Sequence, residues 1–325
     1  MVDQDIISNR FERLPAFFPK FPWFGGDLQT LRNALRSPQA SLALWPGTAL
    51  TFAMDDGSGD HLIGELHRPD GPVGTRPLVI LIHGLTGSMD SSYLRVSAGH
   101  LLRAGYPVLR LNLRGAGPSR GLTQGFYHAG RSDDLHQVIG QLDGRLAGNG
   151  LALIGFSLGG NVMLKYLAER GHRAQIRAAV SVSAPIDLAV TQQQISRWRN
   201  RRYHDFLLAA MKAERPCPSG VNSILDFDNH VVAPANGFVD AADYYRRSSA
   251  KPMLGDIRRP TLLIHAGNDP WIPARIYRDL DLSGNRRLRL LLPRSGGHVG
   301  FHGWGLDRPW HDMVIGRFLA AAGAA

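Results

Sequence analysis

One short stretch constrains this chain more than any other. Leu151-Ala152-Leu153-Ile154 is an unbroken apolar run, Gly155-Phe156-Ser157-Leu158-Gly159 follows at once, and Asn161–Arg170 has helical spacing up to Gly171. The apolar run reads as a strand buried on both faces. The two glycines allow a turn so sharp that a side chain two places from the serine would strike neighbouring backbone, and the serine is left in the open at the start of a helix. Such a junction belongs to a sheet covered by helices, so the rest of the chain has to supply further strands and helices in alternation.

It does so from Leu50 onward. Leu50–Met54 and His61–His67 read as paired strands around the turn Asp55-Asp56-Gly57-Ser58-Gly59. Strands are expected at Leu78–Ile82, Pro107–Leu113, Leu151–Phe156, Ile176–Ser183, Thr261–Ala266 and Leu288–Leu292. Helices are expected at Ser91–Ala104, Ser132–Leu146, Ser157–Arg170, Ala274–Leu280 and Trp310–Ala322. This alternation predicts an α/β fold with a mostly parallel central sheet and helices on both faces. Between the sixth and seventh strands the rhythm breaks. Residues 187–250 are polar, basic and helical in places, which marks a helical cap insertion. The domain organisation is then an N-terminal arm, 1–48, extended and packed on the core, a core of 49–186 and 251–325, and the cap.

Composition excludes several classes. Cys217 is the only cysteine, so no internal disulfide and no cysteine-rich zinc site can form. The start of the chain lacks the charged-then-apolar layout of a signal peptide, and no apolar run approaches the roughly 20 residues of a membrane span. These features point to a soluble, cytoplasmic protein and leave peripheral membrane contact open. The net charge is +10, but the basic residues run from end to end and only Lys20, Lys165, Lys212 and Lys251 are lysines. A compositional preference for arginine explains this better than a nucleic-acid patch. Gly115-Ala116-Gly117-Pro118 resembles a dinucleotide turn, but its third glycine comes one place late and Pro118 interrupts the helix start. The cluster Arg197-Trp198-Arg199-Asn200-Arg201-Arg202-Tyr203 reads first as a solvated helix face, and second as a holder of phosphate or anionic lipid.

Chemistry gathers at predicted strand ends. Ser157 is the candidate nucleophile. His298, in the glycine-flanked loop Ser295–Phe301 after the last strand, is the candidate base, because a serine hydroxyl attacks only once a base takes its proton. His302 stands in reserve. Asp269, in Asn268-Asp269-Pro270 after the Thr261 strand, is the candidate acid that orients the histidine, with Asp187 as competitor. The loop His83-Gly84-Leu85-Thr86-Gly87 is placed to supply an oxyanion donor, most simply the Leu85 amide, alongside that of Leu158. His83 reads as a support for that loop. The order Ser157, Asp269, His298 is that of the α/β-hydrolase fold.

These residues together resemble the YheT-like branch of the α/β-hydrolases, related to abhydrolase-type lipases and esterases and to plant embryogenesis-associated hydrolases. The resemblance is carried by Gly25-Gly26-Asp27-Leu28-Gln29-Thr30, His83-Gly84-Leu85, Arg114-Gly115, His128-Ala129-Gly130, Gly155–Asn161 and Ser183-Ala184-Pro185. It continues through Asp243-Tyr244-Tyr245-Arg246, Ser248-Ser249-Ala250, Asn268-Asp269-Pro270 and Gly296-Gly297-His298-Val299-Gly300-Phe301. One departure is Asp27, where the family usually has histidine; it lies outside the triad. The resemblance implies a carboxylic-ester hydrolase acting through a Ser-Asp-His triad on a small ester, lipid-like in some relatives, with no cofactor. An acyltransferase, or an amide or thioester hydrolase, would use the same residues. A non-catalytic binding module would be expected to have a broken triad, and none is broken here.

Overall fold

The structure, a computed structural model, describes residues 14–35, 42–71, 74–172 and 174–323. Successive side chains of a strand point to opposite faces, and here both faces are apolar. Leu78, Ile80 and Ile82 enter one core cluster with Leu109, Leu111 and Leu153. Val79 and Leu81 enter the other with Ala152, Ile154 and Val180. A strand apolar on both faces has to be covered on both.

The strands are β1 (Gly47–Ala53), β2 (His61–His67), β3 (Leu78–Ile82), β4 (Val108–Leu111), β5 (Leu151–Phe156), β6 (Ile176–Val182), β7 (Thr261–Ile264) and β8 (Leu288–Leu291). They form one sheet in the order β1-β2-β4-β3-β5-β6-β7-β8. β1 pairs antiparallel with β2, and β2 with β4; the pairs from β4 to β8 are parallel. The main helices are α1 (Gly25–Leu35), α2 (Ser92–Arg103), α3 (Ser132–Gly140), α4 (Leu158–Glu169), α5 (Leu188–Ile195), α6 (Arg201–Glu214), α7 (Ala241–Ser248) and α8 (Trp310–Gly323). α2 and α8 cover one face through Leu94, Leu101, Val314 and Phe318. α3 and α4 cover the other through Leu135, Val138, Val162 and Met163. The mostly parallel sheet and its two helical layers are those expected.

Local differences have local causes. The helix expected over Ser132–Leu146 stops at Gly140, and Asp143 starts a separate turn, Gly144–Ala147, by accepting the Arg145 amide at 2.9 Å. The segment expected as an extended arm contains α1, whose side chains hydrogen-bond to the loop around His298 and His302. Parts of that arm, 1–13 and 36–41, lie outside the described residues. Between β6 and β7 the chain is helical throughout its regular elements, with α5, α6, α7 and shorter turns, and no strand among the described residues.

Candidate active site

The sharp turn after β5 is present and strained. Ser157 has φ 50° and ψ −125°, a conformation that costs a non-glycine residue free energy and persists only when its surroundings enforce it. They do: a Cβ on Gly155 would lie 2.5 Å from the Gly159 carbonyl oxygen, and one on Gly159 would lie 2.3 Å from that of His83. Only hydrogen fits at either place, so α4 crosses close to β5 and β3 and Ser157 is held at the apex. The Ser157 amide donates to Val182 O at 2.8 Å, tying the apex to β6. Leu158 opens α4, where the first amides have no partner within the helix and the helix dipole is positive.

Two loops at the same edge of the sheet complete the arrangement. His298 Nε2 lies 3.0 Å from Ser157 Oγ, and His298 Nδ1 lies 2.9 Å from Asp269 Oδ2. An ionised carboxylate only accepts, so Nδ1 carries the proton and Nε2 presents its lone pair to the hydroxyl. The other carboxylate oxygen, Asp269 Oδ1, accepts the amides of Trp271 and Ile272 at 2.8 and 3.0 Å. Burial works against the Asp269 charge, yet His298, His265 and these bonds outweigh it and hold the carboxyl below its ordinary value. The imidazole of His298 is stacked on Trp271, with ring centroids 4.3 Å apart. Its amide donates to Thr30 Oγ1 at 2.8 Å, and the Val299 amide to Ser183 Oγ at 3.2 Å.

The loop after β3 faces Ser157 from the opposite side. A Cβ on Gly84 would lie 2.9 Å from that of Ser157, so the backbone passes against the serine. His83 is wholly buried; burial lowers its pKa to about 4, so the ring is neutral. It accepts the Leu113 amide on Nε2 at 3.0 Å, and its Nδ1 is 2.8 Å from Gly84 O, as a support does. The flanking amides are occupied: Gly84 N–H donates to Tyr93 Oη at 2.9 Å and Thr86 N–H to Tyr127 Oη at 2.6 Å. Tyr127 in turn donates to Glu214 of α6 at 2.8 Å. Among the described residues the Leu85 and Leu158 amides have no such acceptor.

Ser157 and His298 lie on the walls of two cavities. One lies under the helical segment and is lined by Leu188, Ile195, Leu207, Met211, Ile224 and Trp271. The other is a wider cleft between α1 and α6, with Asp27, Leu31, Arg199, Arg202 and Phe206 on its walls. The arrangement can deprotonate a hydroxyl, hold charge on an oxygen between two loops, and seat substrate groups in the cavity on one side and the cleft on the other.

Ser157, Asp269 and His298 are brought together by hydrogen bonds, and Leu85 and Leu158 line the same cavity as Ser157 and His298. The reserve candidates do not join them. His302 bonds to Arg32 and Asn33 of α1 at 2.6 and 2.8 Å. Asp187 caps α5 by accepting the Val190 amide. Sequence reasoning missed Trp271, Tyr127 and Glu214, which no spacing singles out. It noted the Gly25–Thr30 motif without a role; Gln29 exchanges two hydrogen bonds with the His302 backbone, and with Thr30 it braces the histidine loop. Asp27 accepts from Arg199 at 2.6 Å and Tyr203 at 3.0 Å. Asn161 stitches two other motifs together through Ala129, Ser248 and Ala250.

Residues 77–211 match the model of the alpha/beta hydrolase fold family. The Escherichia coli (strain K12) protein YheT, whose name proposes an esterase, is 31% identical over 96% of this chain and 95% of its own. A monoacylglycerol lipase of Saccharomyces cerevisiae is 28% identical over 78% of this chain and 62% of its own. Among solved structures, the Pyrococcus furiosus esterase Pf2001 superposes with a TM-score of 0.60 and 17% identity, covering 95% of this chain and 97% of that one; that likeness is one of fold.

Proposed function

Because the chain belongs to the α/β-hydrolase family, in the esterase- and lipase-type branch that includes YheT, we propose that it is a serine hydrolase that cleaves carboxylic esters through an acyl-enzyme on Ser157. The observation that carries this reading is the unbroken bridge from Asp269 Oδ2 through the His298 ring to Ser157 Oγ, with links of 2.9 and 3.0 Å. Ser157 Oγ attacks the ester carbonyl carbon as His298 Nε2 takes its proton. The carbonyl π pair moves onto oxygen, and the Leu85 and Leu158 amides hold that oxyanion. Asp269 fixes the ring and stabilises the imidazolium. The oxyanion collapses, the C–O bond to the alcohol breaks, and His298 returns the proton to the leaving oxygen. Water then attacks the acyl-enzyme with His298 again as base, releasing the acid and restoring Ser157.

The cavity under residues 187–250 suits the acyl chain and the open cleft the alcohol. That segment would act as a cap that shapes acyl preference. Turnover of an ester panel of graded chain length, by the native chain and by Ser157→Ala, tests the reading. The native chain should show a chain-length optimum and the variant a loss of several orders of magnitude in kcat. Equal rates for the two would overturn it.

A further inference from the structure

The mouth of the cleft beside Ser157 is unusual for a surface exposed to water. Leu28, Leu31 and Leu35 of α1 are 42, 38 and 67% exposed. Their spacing of three and four puts them in one stripe, and Leu31 is itself a wall of the cleft. Phe206, 64% exposed, forms part of the opposite wall, and Trp198, 87% exposed, adjoins Arg199. Phe21 and Phe24, exposed with rings 6.0 Å apart, lead directly into α1. A lone exposed leucine means little, but apolar side chains exposed on both helices that wall one cleft mark an interaction surface.

The charge at this opening has one dominant sign. Arg197, Arg199, Arg201 and Arg202 fall within six residues, and the carboxylates paired with this run are Asp27, on Arg199, and Asp205, on Arg201. Arg199 and Arg202 are on the cleft wall beside Phe206. Aromatic and leucine side chains flanked by arginine match the two layers of a lipid surface, acyl chains below and anionic head groups above. A second copy of this chain fits worse, since a two-fold contact would set the arginines against themselves. A nucleic acid backbone would gain nothing from the leucine stripe.

We propose that the rim formed by α1, Trp198 and α6 docks the protein on an anionic lipid surface, with the cleft opening onto that surface. If the esterase reading holds, a lipid-like ester passes from the surface to Ser157 without crossing water; the docking itself needs no chemistry and can be tested without it. The test is co-sedimentation of the Ser157→Ala chain with vesicles of pure phosphatidylcholine, and with vesicles carrying 30 mol% phosphatidylglycerol (about one lipid in three, ample to set the surface potential). The chain should pellet with the anionic vesicles, and binding should weaken as salt is raised. An arginine near such a surface strengthens association roughly five-fold, so Arg201→Glu/Arg202→Glu should weaken binding by more than about 20-fold. Trp198→Ser/Phe206→Ser removes side chains outside the core, and it should weaken binding while leaving the melting temperature unchanged. Absence of binding to anionic vesicles, equal binding to both kinds, or binding that survives both double substitutions would overturn the proposal. So would a stable dimer that Trp198→Ser/Phe206→Ser dissolves, since the rim would then be an interface between copies. A protein that binds vesicles but turns over no ester would retain the docking and lose the esterase reading.

Discussion

Replacing Tyr127 by phenylalanine removes one oxygen and leaves the ring. That oxygen accepts the Thr86 amide at 2.6 Å and donates to Glu214 at 2.8 Å. Thr86 has φ 55°, so the loop beside Ser157 is held in a conformation it would not choose freely. Without the acceptor the part-buried Thr86 N–H loses a bond worth about 0.5–1.5 kcal/mol. On the proposed mechanism, relaxation of the loop would turn the adjacent Leu85 amide away from the oxyanion. Complete loss of one such donor costs about 100- to 1000-fold in kcat; displacement of a donor that is still present should cost roughly 10- to 100-fold. Steady-state kinetics on a water-soluble ester should show a fall in kcat with little change in KM, because the proposed Leu85 contact would be made to the transition state. A variant with native kcat, or one with raised KM and unchanged kcat, would refute the link from Tyr127 through Thr86 to the oxyanion. Loss of melting temperature alone would assign Tyr127 a structural role only.

Three further outcomes follow from the same geometry. Asp269→Asn should lower kcat by about 1,000- to 10,000-fold, since an amide can stabilise neither the tautomer nor the imidazolium; a pH–rate profile with an intact plateau would contradict this. Gly159→Ala puts a Cβ 2.3 Å from the backbone oxygen of His83, so α4 must shift away from β3 and activity should fall by at least about 10-fold with a lower melting temperature, whereas native values for both would show the junction to be loose. Acid should unfold the chain early. Burial lowers the pKa of His83, His100 and His265 to about 4, and of His128, His302 and His311 to about 3. Above the ordinary value of 6.5 both states leave them neutral. As pH falls below it the unfolded chain takes protons that the folded chain refuses, about 1.4 kcal/mol of lost stability per unit for each. Asp228 and Asp312, raised by burial to about 7, act in the opposite sense over this window but are outnumbered. Thermal melts from pH 7 to 5 should therefore show a falling midpoint, and a rising one would contradict the balance.

The legible parts of this protein are those written in local patterns. Apolar runs such as Leu78–Ile82 gave the strands, and strand-end positions gave Ser157, Asp269 and His298, because in a parallel sheet chain order fixes which loops share an edge. What stayed hidden depends on contacts across large sequence distance. Tyr127 meets Glu214 only because α6 folds back over the sheet, and α1 reads as an arm until it is seen to carry Gln29 and Thr30 to the histidine loop. The shortening of the Ser132–Leu146 helix was readable in principle from Gly140 and Asp143, whose preference for helix ends apolar spacing alone does not register. The arginine run shows the same limit: sequence offers a solvated face first and a phosphate or anionic-lipid holder second, and only the cleft places it across from the leucine stripe.

The central claim is that Ser157 is the nucleophile, activated by His298. Incubation with a fluorophosphonate, proteolysis and mass spectrometry test it directly. One adduct is expected, on the peptide containing Ser157, abolished by Ser157→Ala and slowed by His298→Ala. An unlabelled Ser157, or an adduct on another residue that survives Ser157→Ala, would contradict it.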